Sequence, residues 1–441
     1  MIRHLAWEIL RSGSMTPTNE VGPAAEREGL DARDRGLLRR IVRTEIQRRG
    51  TLQALVHKFA KGKPNRDLTA FLRLGFAQLF FVDRIPDHAA VSETVGAASD
   101  ELGLSKGRYV NGVLRTVQRA SREGLSGDPT RDLVGRDIHF TDSIFHDPDE
   151  HPFLWAEDAL SVPSALYKGW SKRFGDERAY QLAVDSLCDP RLSLRVVRES
   201  REDMQAELLS QELSTACGEH GQIITLDSSD LSAALATTAF AEGRLTVQGE
   251  AALRAAELCQ AKAGERWLDL CAAPGGKTAV LSQGGARVLA CDVSDDKLER
   301  MTETLGRLGA MENVETRLLD DREPPAEDGF DGVLLDVPCS NTGVLARRPE
   351  ARWRYGPQTR KALAAIQVDL LERGSERVRP GGVLVYSTCS IEPDENQQRV
   401  KAFLEGHAGW QMEEEIMTLP SPTAEMGPVD GGYAARLRAT V

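Results

Sequence analysis

The sequence predicts a multidomain protein. An all-α N-terminal domain is expected over residues 1–125, a linker over 126–154, a small α+β module over 155–245 and a C-terminal α/β domain over 246–441. Three observations carry this reading. At 441 residues the chain is too long for a single core. Up to residue 125 apolar side chains recur at helical spacing. From residue 246 onward short apolar strands alternate with helical stretches, the pattern of a parallel, doubly wound sheet.

Composition narrows the class. With 41% hydrophobic and 28% charged residues the chain reads as an ordinary water-soluble protein. No apolar run approaches a membrane span, and Met1-Ile2-Arg3-His4 does not open a signal peptide, so a cytoplasmic protein is expected. Its seven cysteines (188, 217, 259, 271, 291, 339, 389) include no CxxC pair, which argues for reduced thiols and against zinc or any other metal. The net charge of −12 hides a local reversal: residues 33 to 66 hold eleven Lys/Arg against Asp34 and Glu45. Arg39, Arg40, Arg43, Arg48 and Arg49 lie in this run. Such a face suits either a phosphate backbone or plain solvation.

Within 1–125, Leu37, Leu38, Ile41, Val42 and Ile46 share one helical face, as do Leu68, Phe71, Leu72, Leu74, Leu79 and Phe80. After Ile85-Pro86, Asp87 reads as a helix N-cap and His88 as a packed histidine rather than as catalytic groups. Residues 126–154 are rich in Asp, Pro, Gly and His with weak periodicity, and His139, His146 and His151 have spacings that suit no metal motif. The next segment predicts helices at Ala165–Trp170, Ala179–Leu187 and Glu202–Leu213, with a strand at 192–197.

In the C-terminal part, strands are expected at Trp267–Leu270, Val288–Cys291, Val314–Leu318, Val333–Asp336 and Val383–Tyr386. The first opens the stretch RWLDLCAAPGGKT, in which a strand feeds a small-residue turn and then a helix start. Free N–H groups and the helix dipole there face a ligand, so the turn from Cys271 through Ala272, Ala273, Pro274, Gly275 and Gly276 to Lys277 reads as a nucleotide cradle. A turn that merely packs strand on helix is the alternative. Cys271 stands where a phosphate-binding loop needs its first glycine, which argues against a nucleoside-triphosphatase. Asp292 follows Asp269 by twenty-three residues, at a strand end where an acid accepts from ribose hydroxyls. Asp320 and Asp321 end the next strand, within reach of an adenine edge. Together these acids suit an adenosyl ligand without a charged phosphate, such as S-adenosyl-L-methionine.

Two thiols complete the pattern. Cys339 follows the fourth strand in LLDVPCS and Cys389 follows the fifth in VYSTCS. Matching positions at neighbouring strand ends place both at the ligand crevice, where a buried structural cysteine is the bland reading. Such a pair suits covalent catalysis on cytosine, whose C5 becomes nucleophilic once a thiolate adds at C6. Lys277, Arg347 and Arg348 are cations that would favour the thiolate, and Asp336 could donate to the N3 edge of the base.

Several segments now carry a resemblance. LDARDRGLLRRIV, LRLGFAQLFFVDRIPDHAAVSETV and KGRYVNGVLRTV resemble a NusB-type helical RNA-binding domain. LDLCAAPGGKT, LLDVPCSNTGVLARRPEARW and GGVLVYSTCSIEPDENQQRV resemble the signature segments of the Sun/Fmu family of RNA (cytosine-5)-methyltransferases. The combination is similar to that family's bacterial 16S rRNA methyltransferase B type. The resemblance implies a Rossmann-like catalytic domain, S-adenosyl-L-methionine as cofactor, and 16S rRNA as the RNA partner. It also implies Cys389 as nucleophile and Cys339 as the cysteine of product release. It places Cys271–Lys277, Asp292, Asp320 and Asp336 around the cofactor, Asp320 being preferred to Asp321 because Asp320-Asp321-Arg322 resembles the family's Asp-x-Arg. Asp336 could equally face the cytosine, and Arg347 and Arg348 join the basic run as RNA contacts. Val337, Asn341, Glu350 and Gly249 depart from the usual pattern without removing a reacting atom. A tRNA substrate is the runner-up, and a non-catalytic RNA-binding or assembly factor is the alternative of another class. Nothing points to an obligate dimer, so a monomer is expected.

Overall fold

The chain, in a computed structural model that describes residues 1–319, 325, 327, 329–423 and 427–440, divides into two units. One is Met1–Leu187 together with Pro349–Tyr355; the other is Cys188–Arg348 together with Gly356–Val441.

The first unit begins with helices Ile2–Arg11, Pro17–Arg27, Ala32–Gln47, Arg49–Phe59, Arg66–Phe81, Asp87–Leu102 and Leu104–Ala120. Their starts are set by short polar side chains where these occur: Asp31 accepts from the Asp34 N–H at 2.7 Å and Asn65 from the Leu68 N–H at 2.9 Å. The rows read from the sequence face inward, with Leu38, Ile41, Val42, Ile46, Phe71, Leu72 and Leu74 all fully buried. Asp87 is not the N-cap. Pro86, extended at φ −61° and ψ 141°, takes that place and its carbonyl accepts from Ala89 and Ala90. Asp87 instead accepts from Gln118 Nε2 at 3.0 Å, and His88 is exposed rather than packed.

Residues 126–154 are folded, contrary to the expected linker. Ser121–Glu123 pairs antiparallel with Ile138–Phe140, and Leu133, Phe140 and Phe145 are buried. The Asp132 carboxylate gathers the Ser126 and Gly127 N–H groups at 2.8 and 2.9 Å. A three-residue strand and turns deliver these apolar side chains, too short for any period to show in the sequence. Helices Pro152–Ala159, Ser164–Phe174 and Asp176–Asp185 also belong to this unit, so the boundary expected near 155 falls after Leu187.

The basic run splits in two. Arg39 and Arg40 are exposed and Arg43 is half-buried. Arg48 is buried, with its guanidinium 4.5 Å from the Phe81 ring centroid and Nη1 donating to the Val134 carbonyl at 2.9 Å. Arg49 pairs with Glu45 at 2.8 Å, and Arg73 reaches the same carboxylate at 2.7 Å. Glu45 is fully buried, and a buried carboxylate without such partners would be costly. Arg48 and Arg49 therefore serve the helical core, not a phosphate face.

The segment Pro349–Tyr355 is held in this unit by Arg352, which is 0% exposed. Its guanidinium donates to the carbonyls of Pro349 (3.1 Å), Gln47 (3.3 Å), Ser161 (3.2 Å) and Ser186 (2.9 Å). Trp353 Nε1 adds a bond to the Ile46 carbonyl at 2.7 Å.

The second unit opens with a small antiparallel sheet in the order Ala216–Cys217, Ile223–Leu226, Leu192–Val196, Leu245–Val247. A larger sheet follows, built from β1 (Arg266–Asp269), β2 (Arg287–Asp292), β3 (Val314–Leu318), β4 (Phe330–Asp336), β5 (Val378–Thr388), β6 (Trp410–Thr418) and β7 (Gly432–Ala439). Its order is β6-β7-β5-β4-β1-β2-β3. The first five strands are parallel, so their C-terminal ends share one edge. β7 runs antiparallel between β5 and β6, so the sheet is mixed rather than wholly parallel. β6 went unread because Glu413-Glu414-Glu415 interrupt its apolar residues, as suits an edge strand that must not recruit a neighbour.

At the sheet centre Gly332 of β4 lies against Trp267 of β1, where an added Cβ would sit 2.4 Å from the indole ring. Gly332→Ala should lower stability by about 1–3 kcal/mol through overpacking, read as a reduced urea midpoint at unchanged slope.

Candidate active site

The strand ends converge on one group of side chains. Asp269 closes β1 and is buried; it accepts from Thr278 Oγ1 at 2.8 Å and from the Cys271 N–H at 3.3 Å, tying the turn to the helix Gly276–Gln283. Burial pushes its carboxyl up to about 7, and the Asp336 charge adds to this against the Thr278 bond. Gly275 takes φ +94°, and a Cβ there would approach Met301 Cγ to 2.9 Å. The turn therefore presents backbone rather than side chain at the helix start.

Lys277 Nζ meets Asp336 Oδ2 at 2.6 Å, while Asp336 Oδ1 accepts from Ser387 Oγ at 2.8 Å. Burial alone would lower the lysine, but the Asp336 charge and hydrogen bond outweigh it and hold the ammonium above its ordinary value. Asp292 ends β2 at 5% exposure and accepts from the Val293 N–H at 2.8 Å and from Lys297 Nζ at 3.4 Å, both on Oδ1. Among the described residues its Oδ2 has no hydrogen bond, so one oxygen is left for a ligand hydroxyl. Asp320 and Asp321 lie outside the described residues.

β4 and β5 are neighbours with Asp336 opposite Ser387, and the loops beyond them carry the thiols. Cys339 Sγ and Cys389 Sγ stand 3.2 Å apart, both free. A hydrogen bond from the Cys339 thiol lowers Cys389; burial and Asp336 oppose this, while Arg348 and Lys277 add to it. The same bond raises Cys339 well above an ordinary thiol, with burial and the Cys389 charge contributing. Cys389 is thus the readier thiolate and Cys339 its donor.

Glu395, to which the sequence reading gave no role, spans both loops. It accepts from the Ser340 N–H at 2.9 Å, from Ser340 Oγ, from Ser390 Oγ at 2.5 Å and from Gln367 Nε2 at 3.1 Å. Each cysteine is therefore followed by a serine fixed to one carboxylate. Asn396 supports it, accepting from Thr388 Oγ1 at 2.6 Å and donating to the Ser390 carbonyl at 2.8 Å. The acid-rich run after Cys389 was the available signal, but nothing in its spacing reveals inward-facing carboxylates. Arg347 is not free to hold RNA: it pairs with Asp430 and donates to the Arg191 carbonyl at 2.7 Å. Arg348 is exposed beside the thiols.

Relatives share this chain over most of its length. A ribosomal RNA small subunit methyltransferase B of Vibrio cholerae is 33% identical, covering 87% of this chain and 84% of its own. The protein of that name from Serratia proteamaculans is 34% identical, with 98% and 96% covered. The chain belongs to the ribosomal RNA small subunit methyltransferase B family. Residues 256–426 match the 16S rRNA methyltransferase RsmB/F family and residues 3–119 match the NusB family. In fold it is similar to PH0851 (TM-score 0.75, 22% identity, 99% of this chain and 98% of that one). It is also similar to NSun6 from Pyrococcus horikoshii with SFG (TM-score 0.54, 22% identity, 63% and 98%). As a member of the methyltransferase B family the chain is an RNA methyltransferase, and its cofactor is S-adenosyl-L-methionine. Among the described residues no helix is long and apolar enough to cross a membrane.

Two measurements follow from the ionisation of this site. Iodoacetamide near neutral pH should modify Cys389 well ahead of Cys339, read by peptide mass spectrometry; equal rates would contradict the assigned donor and acceptor. Asp269 binds its proton more tightly folded than unfolded, so its contribution is present at low pH and is lost as pH rises from about 4 to about 7. Across that window wild type should lose stability relative to Asp269→Asn by up to about 1.4 kcal/mol per pH unit in denaturant titrations.

Proposed function

We propose that this enzyme methylates C5 of a cytosine in 16S rRNA through a covalent bond between Cys389 and cytosine C6, acting as a cytoplasmic monomer. The observation that carries the reading is the pair of free thiols 3.2 Å apart beside the Lys277–Asp336 ion pair. S-adenosyl-L-methionine supplies an electrophilic methyl group. The Cys271–Lys277 turn, with its glycine backbone at the helix start, and Asp292, with its open oxygen, would hold that cofactor. Asp320 is assigned to the adenosyl contact on the family pattern alone.

The directions in which the two thiols are shifted support these roles. Cys389 attacks C6 as thiolate; the C6–S bond forms while the ring pair moves towards N3, which takes a proton through Asp336 with Lys277 as the neighbouring ammonium. C5, now enamine-like, would take the methyl group, the pair of the broken carbon–sulfur bond staying on the donor sulfur. With Cys389 bonded to carbon, Cys339 loses the acceptor that held its proton and can give that proton up to solvent. It can then remove the C5 proton, the double bond re-forms between C5 and C6, Cys389 leaves as thiolate, and N3 returns its proton through Asp336. Arg39, Arg40 and Arg348 are the exposed members of the proposed basic contacts, whereas Arg48, Arg49 and Arg347 serve the protein's own packing.

Bisulfite sequencing of 16S rRNA and tRNA from cells with and without the gene tests this. One 16S mark should vanish, return with wild type and fail to return with Cys389→Ala. A lost tRNA mark would replace the substrate; full activity of Cys389→Ala would remove the mechanism. Cys339→Ala should instead trap protein–RNA adducts, visible as a shifted band on denaturing gels.

A further inference from the structure

Asn341 lies in the loop after Cys339 with φ +62°, a left-handed conformation that asparagine tolerates better than most residues. Both ends of its amide are engaged. Nδ2 donates to the Cys339 carbonyl at 2.7 Å, and Oδ1 lies 3.2 Å from Cys389 Sγ, where it accepts the S–H. The loop has no room to slide. The Ile391 N–H donates to Thr342 Oγ1 at 3.1 Å, and a Cβ on Gly343 would come within 2.9 Å of the Cys389 carbonyl oxygen. The mechanism above makes no use of this contact.

We propose that Asn341 is a positioning residue for Cys389, whose anchored amide oxygen holds the S–H of the resting thiol and aims the sulfur until substrate displaces it. This rests on reading Cys389 as the nucleophile. A carbonyl oxygen only accepts, so it stabilises the thiol and is repelled by the thiolate. It thereby works against the cations Lys277 and Arg348 and the Cys339 donor, and on the same side as Asp336; these are the charged and titratable groups that face the sulfur. Cys389 is held between two hydrogen-bonded states: one with its proton on the Asn341 side, the other a thiolate receiving the Cys339 proton donor. The amide sets how much of the resting enzyme carries the exposed nucleophile.

The test is the pH dependence of Cys389 alkylation by iodoacetamide in the full-length protein without RNA, read by mass spectrometry between about pH 5 and about pH 9. Asn341→Gly keeps the left-handed backbone and deletes the acceptor. Its alkylation midpoint should fall by about one pH unit, speeding reaction well below the midpoint about tenfold. Asn341→Asp keeps the shape and puts a carboxylate at the sulfur, so its midpoint should rise by a similar amount. A change in access alone alters the rate without moving the midpoint. Unchanged midpoints, or shifts of both variants in one direction, would overturn the proposal; if one variant fails to fold, the sign in the other decides. Because no RNA is present, this outcome is independent of whether Cys389→Ala loses methylation, so failure of either idea is seen separately.

Discussion

A single buried carboxylate, Glu395, holds the two cysteine-bearing loops together, and the spacing of the sulfurs depends on it. Ser340 and Ser390 each give it a hydroxyl, and Gln367 reaches it from the helix Pro357–Ser375. A carboxylate this deeply placed is costly unless its lone pairs are taken up, so folding selects the one arrangement that brings all the donors in. That arrangement sets Cys339 against Cys389. The asymmetry between the two thiols then follows from what each faces: Cys389 looks towards Lys277 and Arg348, and Cys339 looks towards its partner.

The central parallel strands are legible because their apolar runs are buried on both faces and bounded by turn residues, as in Arg287–Asp292 and Phe330–Asp336; the edge strand Val314–Leu318, mostly polar and only partly buried, is legible from its place in the strand–helix alternation. The middle strand Leu192–Val196 is legible for the same reason as the central ones. What escaped was structure without a period. Leu133, Phe140 and Phe145 are buried by a hairpin and turns, so residues 126–154 look like a linker in composition alone. Of the final antiparallel pair, β6 escaped because an edge strand carries charge to stay unpaired.

In the site, residues on strand ends were readable and those that orient them were not. Cys339, Cys389, Asp336 and Lys277 meet because β4, β5 and β1 are neighbours, a placement that follows from topology. Glu395 and Asn396 act from a loop whose sequence looks like an ordinary solvated turn. Charge counting misled in the other direction. It registers that Arg48, Arg49 and Arg347 are basic but not that Phe81, Glu45 and Asp430 claim them.

The segment Pro349–Tyr355 has a consequence for how the chain can be divided. The helical unit is completed by residues that the ribosome makes only after most of the second unit has emerged. Until Arg352 arrives, the carbonyls of Gln47, Ser161 and Ser186 miss the bond that its guanidinium gives each of them, in a place sealed from water. A protein cut after Leu187 would carry that deficit permanently, and the remaining half would expose Trp353 with no pocket to receive it. The helical unit is therefore not a module that ends at Leu187: it reaches its finished form, during synthesis or after recombination of domains, only with residues 349–355 on the same chain.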